Sequence, residues 1–250
     1  MKNSKFVKIA ETVHELLPET YTAAVILAAG NSTRMGENVN KQLCKVNGIP
    51  VLAHTLMAYQ KCPLIREIVV VTRPDQFEEV YAMSKKYKIS KLKKLAKGGE
   101  TRQESAKLGV AKLGAHVKFV AIADGARCLT TPTTIAKVCL TAYRHMAACA
   151  GHAVSDTLKR ATLLGNVRET VDRTGLWQAQ TPQVFQTSLY QAALIKAEED
   201  RFVATDDASL IEHLGYQVQM VECGLANIKI TTPADLPLAQ AIMDYRSKKK

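Results

Sequence analysis

From Ala23 to Leu27 the chain is a run of Ala, Val, Ile and Leu without a charge, and it passes directly into Ala28, Ala29 and Gly30. A strand that can bury both faces belongs inside a parallel sheet covered by helices, so this run predicts a central strand of an α/β fold. The small residues after it let backbone come close to a ligand, with N–H groups able to point at phosphate oxygens. Arg34 then supplies a planar fork and Lys41 a mobile point charge, two ways of holding a phosphate. Taken alone, the stretch also reads as a plain strand-to-helix turn whose two cations are solvated. It is neither G-x-G-x-x-G, having only Gly30 and Gly36, nor a P-loop, which needs Gly-Lys-Ser/Thr.

The same alternation continues. Residues 4 to 17 place Phe6, Ile9, Val13, Leu16 and Leu17 at helical spacing before Pro18, predicting an amphipathic helix. Helices are expected over Pro50–Lys61, Asp75–Tyr87, Thr101–Leu113, Pro132–Ala148 and Ser188–Glu198, then from Thr205-Asp206-Asp207 and from Pro233. Strands are expected at Glu67–Thr72, Lys94–Lys97, Val117–Ala123, Ala150–Val154, Tyr216–Glu222 and Ile228–Ile230. Ser155–Thr174 mixes β-branched and charged residues around Gly165-Asn166 and predicts a two-stranded hairpin. Since a lone hairpin is marginal in water, this one is expected to lie against a partner chain. Gly175–Phe185 is read as a return to the body through Gln180-Thr181-Pro182. The fold class is therefore α/β, a mostly parallel, Rossmann-like sheet flanked by helices with a protruding β-hairpin arm at about 155–174. Residues 1–21 form a helical extension and 22–250 one domain.

Val117–Ala123 runs into Asp124-Gly125-Ala126-Arg127, so charge appears at a strand end. In open α/β sheets ligands gather at the carboxyl ends of strands, which puts Asp124 and Arg127 on the same edge as Arg34 and Lys41. A capping Asp and a surface Arg explain the pair equally well. The formal charge of +11 favours an anionic ligand. Seven lysines lie between Lys85 and Lys97, where only Tyr87 could stack a base, so a solvated face is preferred to a nucleic-acid site. The six cysteines show no C-x-x-C pair and read as free thiols of a reducing compartment. With no signal-peptide core and no membrane-length apolar segment, a cytoplasmic protein is expected.

Several motifs in order resemble one family: L-A-A-G with S-T-R-M-G (27–36), N-K-Q (40–42), D-G-A-R (124–127), D-T-L-K-R (156–160), V-D-R-T-G-L-W-Q-A-Q-T-P-Q-V-F (171–185), T-D-D-A-S (205–209) and N-I-K-I-T-T-P-A-D-L (227–236). The chain is similar, over about residues 22 to 245, to the 2-C-methyl-D-erythritol 4-phosphate cytidylyltransferases of the non-mevalonate isoprenoid pathway. The resemblance implies transfer of CMP from CTP to a polyol phosphate with Mg²⁺. By it, Ala28, Ala29 and Gly30 hold the nucleotide, and Gly99, Glu100 and Ser105 lie near the cytosine. Arg34 and Lys41 stabilise charge at the α-phosphorus, and Lys229 and Arg173 place the methylerythritol phosphate. Asp124, Arg127, Thr157, Thr181 and Thr205 make further substrate contacts. The family hairpin reaches into a neighbouring subunit, so Thr157 and Arg173 would complete the site of a homodimer partner. Mg²⁺ is expected to be held mainly by the triphosphate, Asp124 being the one protein ligand considered.

This chain departs from the family pattern at Cys128, where many relatives have proline, at Asn31 and Ser32, where glycine is frequent, and at Glu100, where aspartate is common. Two rivals stand beside this reading. A ribitol 5-phosphate cytidylyltransferase would usually carry L-A-G-G and lack G-L-W, unlike Ala29 and Gly175-Leu176-Trp177 here. A non-catalytic nucleic-acid module would use the Lys85–Lys97 cluster.

Overall fold

The computed structural model describes residues 20–30, 33–35 and 40–248; the helix expected over 4–17 lies outside them. The elements in chain order are β1 Thr22–Leu27, β2 Lys45–Val46, β3 Ile49–Pro50, α1 Val51–Lys61, β4 Ile65–Thr72, α2 Phe77–Lys86, β5 Leu92–Lys97, α3 Arg102–Val110, β6 Phe119–Asp124, α4 Pro132–His145, β7 Ala147–Ala153, β8 Leu158–Ala161, β9 Val167–Val171, β10 Trp177–Gln186, α5 Thr187–Glu199, α6 Asp207–His213, β11 Gln219–Glu222 and α7 Asp235–Ser247. Seven strands form one sheet in the order β11-β7-β10-β6-β1-β4-β5. β1 is parallel to both β4 and β6, and β10 alone runs against its neighbours β6 and β7. The expected mostly parallel sheet is present, with β1 inside it.

β1 is central because neither of its faces tolerates water. Ala24 and Ile26 pack into a cluster with Leu52, Leu56 and Tyr59 of α1 and Ile135, Val138 and Cys139 of α4. Val25 and Leu27 point the other way, to Ala106 and Val110 of α3, Tyr190 and Leu194 of α5 and Leu210 of α6. Each fully buried aliphatic side chain contributes about 2 kcal/mol of burial free energy, which is why the alternation in β1 can be apolar throughout. Gly109 brings α3 close to this sheet, since a Cβ there would collide with Val25 and Val71.

Local signals explain most boundaries. Thr101 caps α3 by accepting from the Glu104 N–H, whereas the Glu104 carboxylate accepts from Glu100 N rather than closing a capping box on Thr101. Asp206 and Ser209 form the full reciprocal box of α6. Thr131 caps α4, with Pro132 in its first turn.

Three expectations need correction. The helix expected over Pro132–Ala148 stops at His145, because Met146 turns left-handed (φ 65°) and β7 already begins at Ala147. Gly175–Phe185 is more than a return segment: most of it is β10, a strand of the main sheet. Ile228–Ile230 forms no strand; its Ile230 N–H bonds Ala126 O, tying it to the loop after β6 instead of to a ladder.

β8 and β9 pair antiparallel as a separate two-stranded sheet, the expected arm. Its tip exposes Leu163 and Leu164, and Val167, Leu176 and Trp177 are exposed along and below it. At the far sheet edge, Lys93 and Lys94 of β5 face solvent, charges that discourage another strand from pairing there. All six cysteines are unpaired. Among the described residues no helix is long and apolar enough to cross a membrane.

Candidate active site

The carboxyl ends of β1 and β6 and the loop after β5 open onto one cavity of about 340 Å³. Its walls include Ala29 and Gly30 after β1, Lys41 and Gln42, Gly99 to Arg102 and Ser105 at the start of α3, Asp124 at the end of β6, and Lys229 from the loop before α7. The structure thus brings together Ala29, Gly30, Lys41, Gly99, Glu100, Ser105, Asp124 and Lys229 out of the residues singled out in the sequence.

The floor is shaped by missing side chains. Ala28 gives its N–H to Val71 O at 2.7 Å, so the sheet uses that donor and the cavity meets Ala29 and Gly30. Gly98 lies against Ala29, whose Cβ leaves no room for one on the glycine. Gly99 N–H donates to Ser105 Oγ at 3.0 Å, which holds the loop over the first turn of α3.

Asp124 is the electrostatic centre. It is 8% exposed, and its Oδ2 lies 3.1 Å from Lys229 Nζ and 3.3 Å from Arg127 Nε, while Oδ1 lies 3.6 Å from Arg102 Nε. Burial opposes its charge, yet Lys229, Arg102 and Arg127 together hold the carboxyl below the ordinary carboxylate range. Lys41 shows the converse: burial, then the neighbouring charges of Lys229 and Arg34, push its ammonium below the usual lysine range, and Asp124 only partly offsets them. The site is short of negative charge and suits a polyanion.

Backbone and amide contacts fix these side chains. Arg127 Nη1 donates to Asn227 O at 2.6 Å, and Asn227 is itself held by Gln180, Thr181 and Thr130. Asn227 and the Ile230 anchor therefore bracket Lys229. Thr181 is buried rather than cavity-lining; its hydroxyl accepts the Asp124 N–H at 3.0 Å. It can do so because β10 bulges: Ala179 opposes Gly151 and Gln183 opposes Cys149, leaving residues 180–182 out of register with β7.

The remaining candidates lie elsewhere. Arg34 sits exposed in the single turn Thr33–Met35, near enough to Lys41 to lower its affinity for a proton. Thr157 and Arg173 are exposed on the arm, where Arg173 donates to Ser155 O, and Thr205 is exposed just before α6. Sequence reasoning passed over Gln42, Thr101, Arg102 and Ala126 as wall residues. Gln42 had a signal in the N-K-Q motif; Arg102 had none, because its partners are set by tertiary contacts.

Against known proteins, the family model described as IspD, 2-C-methyl-D-erythritol 4-phosphate cytidylyltransferase, matches residues 22–245. The chain belongs to this family. A relative of that name in Caldanaerobacter subterraneus subsp. tengcongensis is 41% identical over 222 residues, covering 88% of this chain and 98% of its own length. One in Nostoc punctiforme is 40% identical over 223 residues, covering 89% and 98%. The crystal structure of 4-diphosphocytidyl-2C-methyl-D-erythritol synthase from Anaerococcus prevotii superposes with a TM-score of 0.81 at 26% identity, covering 92% of this chain and 99% of that one. The Thermus thermophilus cytidylyltransferase structure gives 0.72 at 29% identity, covering 89% and 98%. As a family member the chain is a nucleotidyltransferase, and the ordered motifs that suggested the family are matched by whole-length similarity.

Proposed function

We propose that the protein transfers CMP from CTP to the phosphate of 2-C-methyl-D-erythritol 4-phosphate and releases pyrophosphate. The observation that carries this reading is the crevice in which a side-chain-poor floor, Ala29 and Gly30, faces Lys41 and Lys229 at the ends of parallel strands. The acceptor is already an anionic phosphate, so no strong general base is needed. Positioning and neutralisation of charge supply the rate.

In this reading Ala29 and Gly30 carry the nucleotide, Ala28 ties them to the sheet, and Gly99, Glu100 and Ser105 border its base. Lys41, with Arg34 beside it, stabilises charge at the α-phosphorus. Lys229 meets the acceptor phosphate, and Asp124 with Arg127 keeps that lysine in place. Thr181 serves by holding Asp124, and Thr205 would make a further substrate contact. Residues 22–250 act as one catalytic domain and the first 21 as an extension.

Mg²⁺ fits this chemistry as a partner of the triphosphate. Among the described residues no group of three or more His, Cys, Asp or Glu converges. Asp124 is already shared among three cations, so the ion would keep phosphate and water ligands. When bound, it neutralises triphosphate charge.

The arm supports a homodimer: a two-stranded sheet with exposed Leu163, Leu164 and Val167, and Trp177 exposed at its base, gains stability when covered. Thr157 and Arg173 would then act in the partner's crevice. The unpaired cysteines agree with a reducing cytoplasm. The lysines around β5 serve as a solvated edge and bind no nucleic acid.

Pyrophosphate release from CTP and Mg²⁺ with either methylerythritol phosphate or ribitol 5-phosphate tests this reading. Faster turnover is expected with methylerythritol phosphate; the reverse order would replace that acceptor by ribitol phosphate, and no release with either would sink the assignment.

A further inference from the structure

Arg102 is the first residue of α3, and its guanidinium stretches between two carboxylates. Nη2 lies 2.7 Å from Asp207 Oδ2, and Nε lies 3.6 Å from Asp124 Oδ1. Asp207 is fully buried, and its other oxygen accepts from the Tyr190 hydroxyl at 2.6 Å. It opens α6, whose Asp206 cap also accepts from Gln183 of β10 at 2.7 Å, so the carboxylate stands on a fixed base. Arg102 lines the crevice and follows directly on the Gly98–Thr101 loop. Asp207 of the T-D-D-A-S motif thus reaches the site through this arginine.

We propose that Arg102 is a positioning residue that, anchored on Asp207, fixes the Asp124 carboxylate so that Lys229, braced through Asp124 and Arg127, meets the acceptor phosphate in register with the nucleotide loop. The inference rests on the proposed reading of the crevice. With Oδ1 turned toward Arg102, Oδ2 is left to Lys229 and Arg127, and a rotation of the carboxylate would release both. A lysine could satisfy one carboxylate as a point charge but lacks the fork that spans two.

The alternative is that Arg102 only neutralises Asp207. Stability and turnover separate the two. R102M leaves Asp207 buried without its cation, so Tm should drop by about 6 °C or more. R102M/D207N removes the stranded charge and should recover most of that loss. Its kcat should nevertheless stay about tenfold or more below wild type, with KM raised for the acceptor and KM for CTP changed less than about threefold, the pattern of a misplaced acceptor. R102K should keep Tm near wild type and be slow in the same way.

Each variant is assayed beside wild type with CTP, Mg²⁺ and methylerythritol phosphate. A double variant that recovers both Tm and turnover would reduce Arg102 to a counter-ion and overturn the proposal. So would a double variant that stays unstable with both KM values raised together. Failure of the wild type itself to release pyrophosphate would refute the reading of the crevice, and the inference would fall with it.

Discussion

Lys229 Nζ lies 3.1 Å from Asp124 Oδ2, joining the loop before the last helix to the end of β6. Asp124→Asn would leave Lys229 and Arg127 without their carboxylate, while Arg102 would keep Asp207. Stability at pH 7 should fall by about 3 kcal/mol, the lower end for a buried pair because Lys229 still reaches solvent. The folded carboxyl titrates below its ordinary range, so its contribution is complete above the unfolded value, about 4, and is lost as pH falls through the folded value. Denaturant melts of both proteins should therefore differ at pH 7 and converge in acid; a constant gap would contradict the pairing.

Lys41→Ala and Arg34→Ala should each lower kcat by roughly 100-fold or more, the scale for removing a preorganised electrostatic contact. Steady-state kinetics with both substrates saturating provide the check. Near-normal turnover in both variants would remove these residues from the reacting phosphorus.

Of this site, the sequence disclosed what local pattern can carry. β1 and β4 were visible because their runs Ala23–Leu27 and Ile68–Val71 are apolar on both faces, and the crevice edge followed from strand direction. β10 was hidden: Trp177–Gln186 is polar and contains Pro182, and its place in the sheet depends on pairing with β6 and β7. The end of α4 was hidden too, since Met146 adopts a left-handed turn without a glycine to announce it. Lys229 took its role from family likeness, and the pairing of Arg102 with Asp207 escaped because no spacing rule links α3 to α6.

Gly98→Ala probes the floor. The new methyl would meet the Ala29 Cβ, and the overpacking should cost about 1–3 kcal/mol. Because the displaced residue borders the cavity, KM for CTP should rise several-fold more than KM for the acceptor. Equal rises would place the strain elsewhere.

The thiols offer a test of burial. Burial pushes Cys62 and Cys128 up to about 11 and Cys149 up to about 12, so at pH 8 these groups carry almost no thiolate. Iodoacetamide followed by peptide mapping should modify half-exposed Cys44 first in the native protein. Rapid modification of Cys128 would mean that the loop after Asp124 opens.

If the arm completes a neighbour's site, mixing inactive Arg34→Ala and Arg173→Ala chains should restore activity, because one site of each mixed dimer holds both normal residues. The ceiling is about a quarter of wild-type sites with random pairing. No recovery after verified subunit exchange would argue that each chain works alone.

The bulge in β10 restricts how this chain can change length. The Thr181 hydroxyl reaches Asp124 across the out-of-register residues 180–182, so adding or deleting one residue there would break that bond, while Gln183, paired with Ile122 and Cys149, would keep its bond to the α6 cap. Deletions and insertions should accumulate instead before Trp177, at the exposed Leu163–Asn166 tip, where no such contact has to be kept.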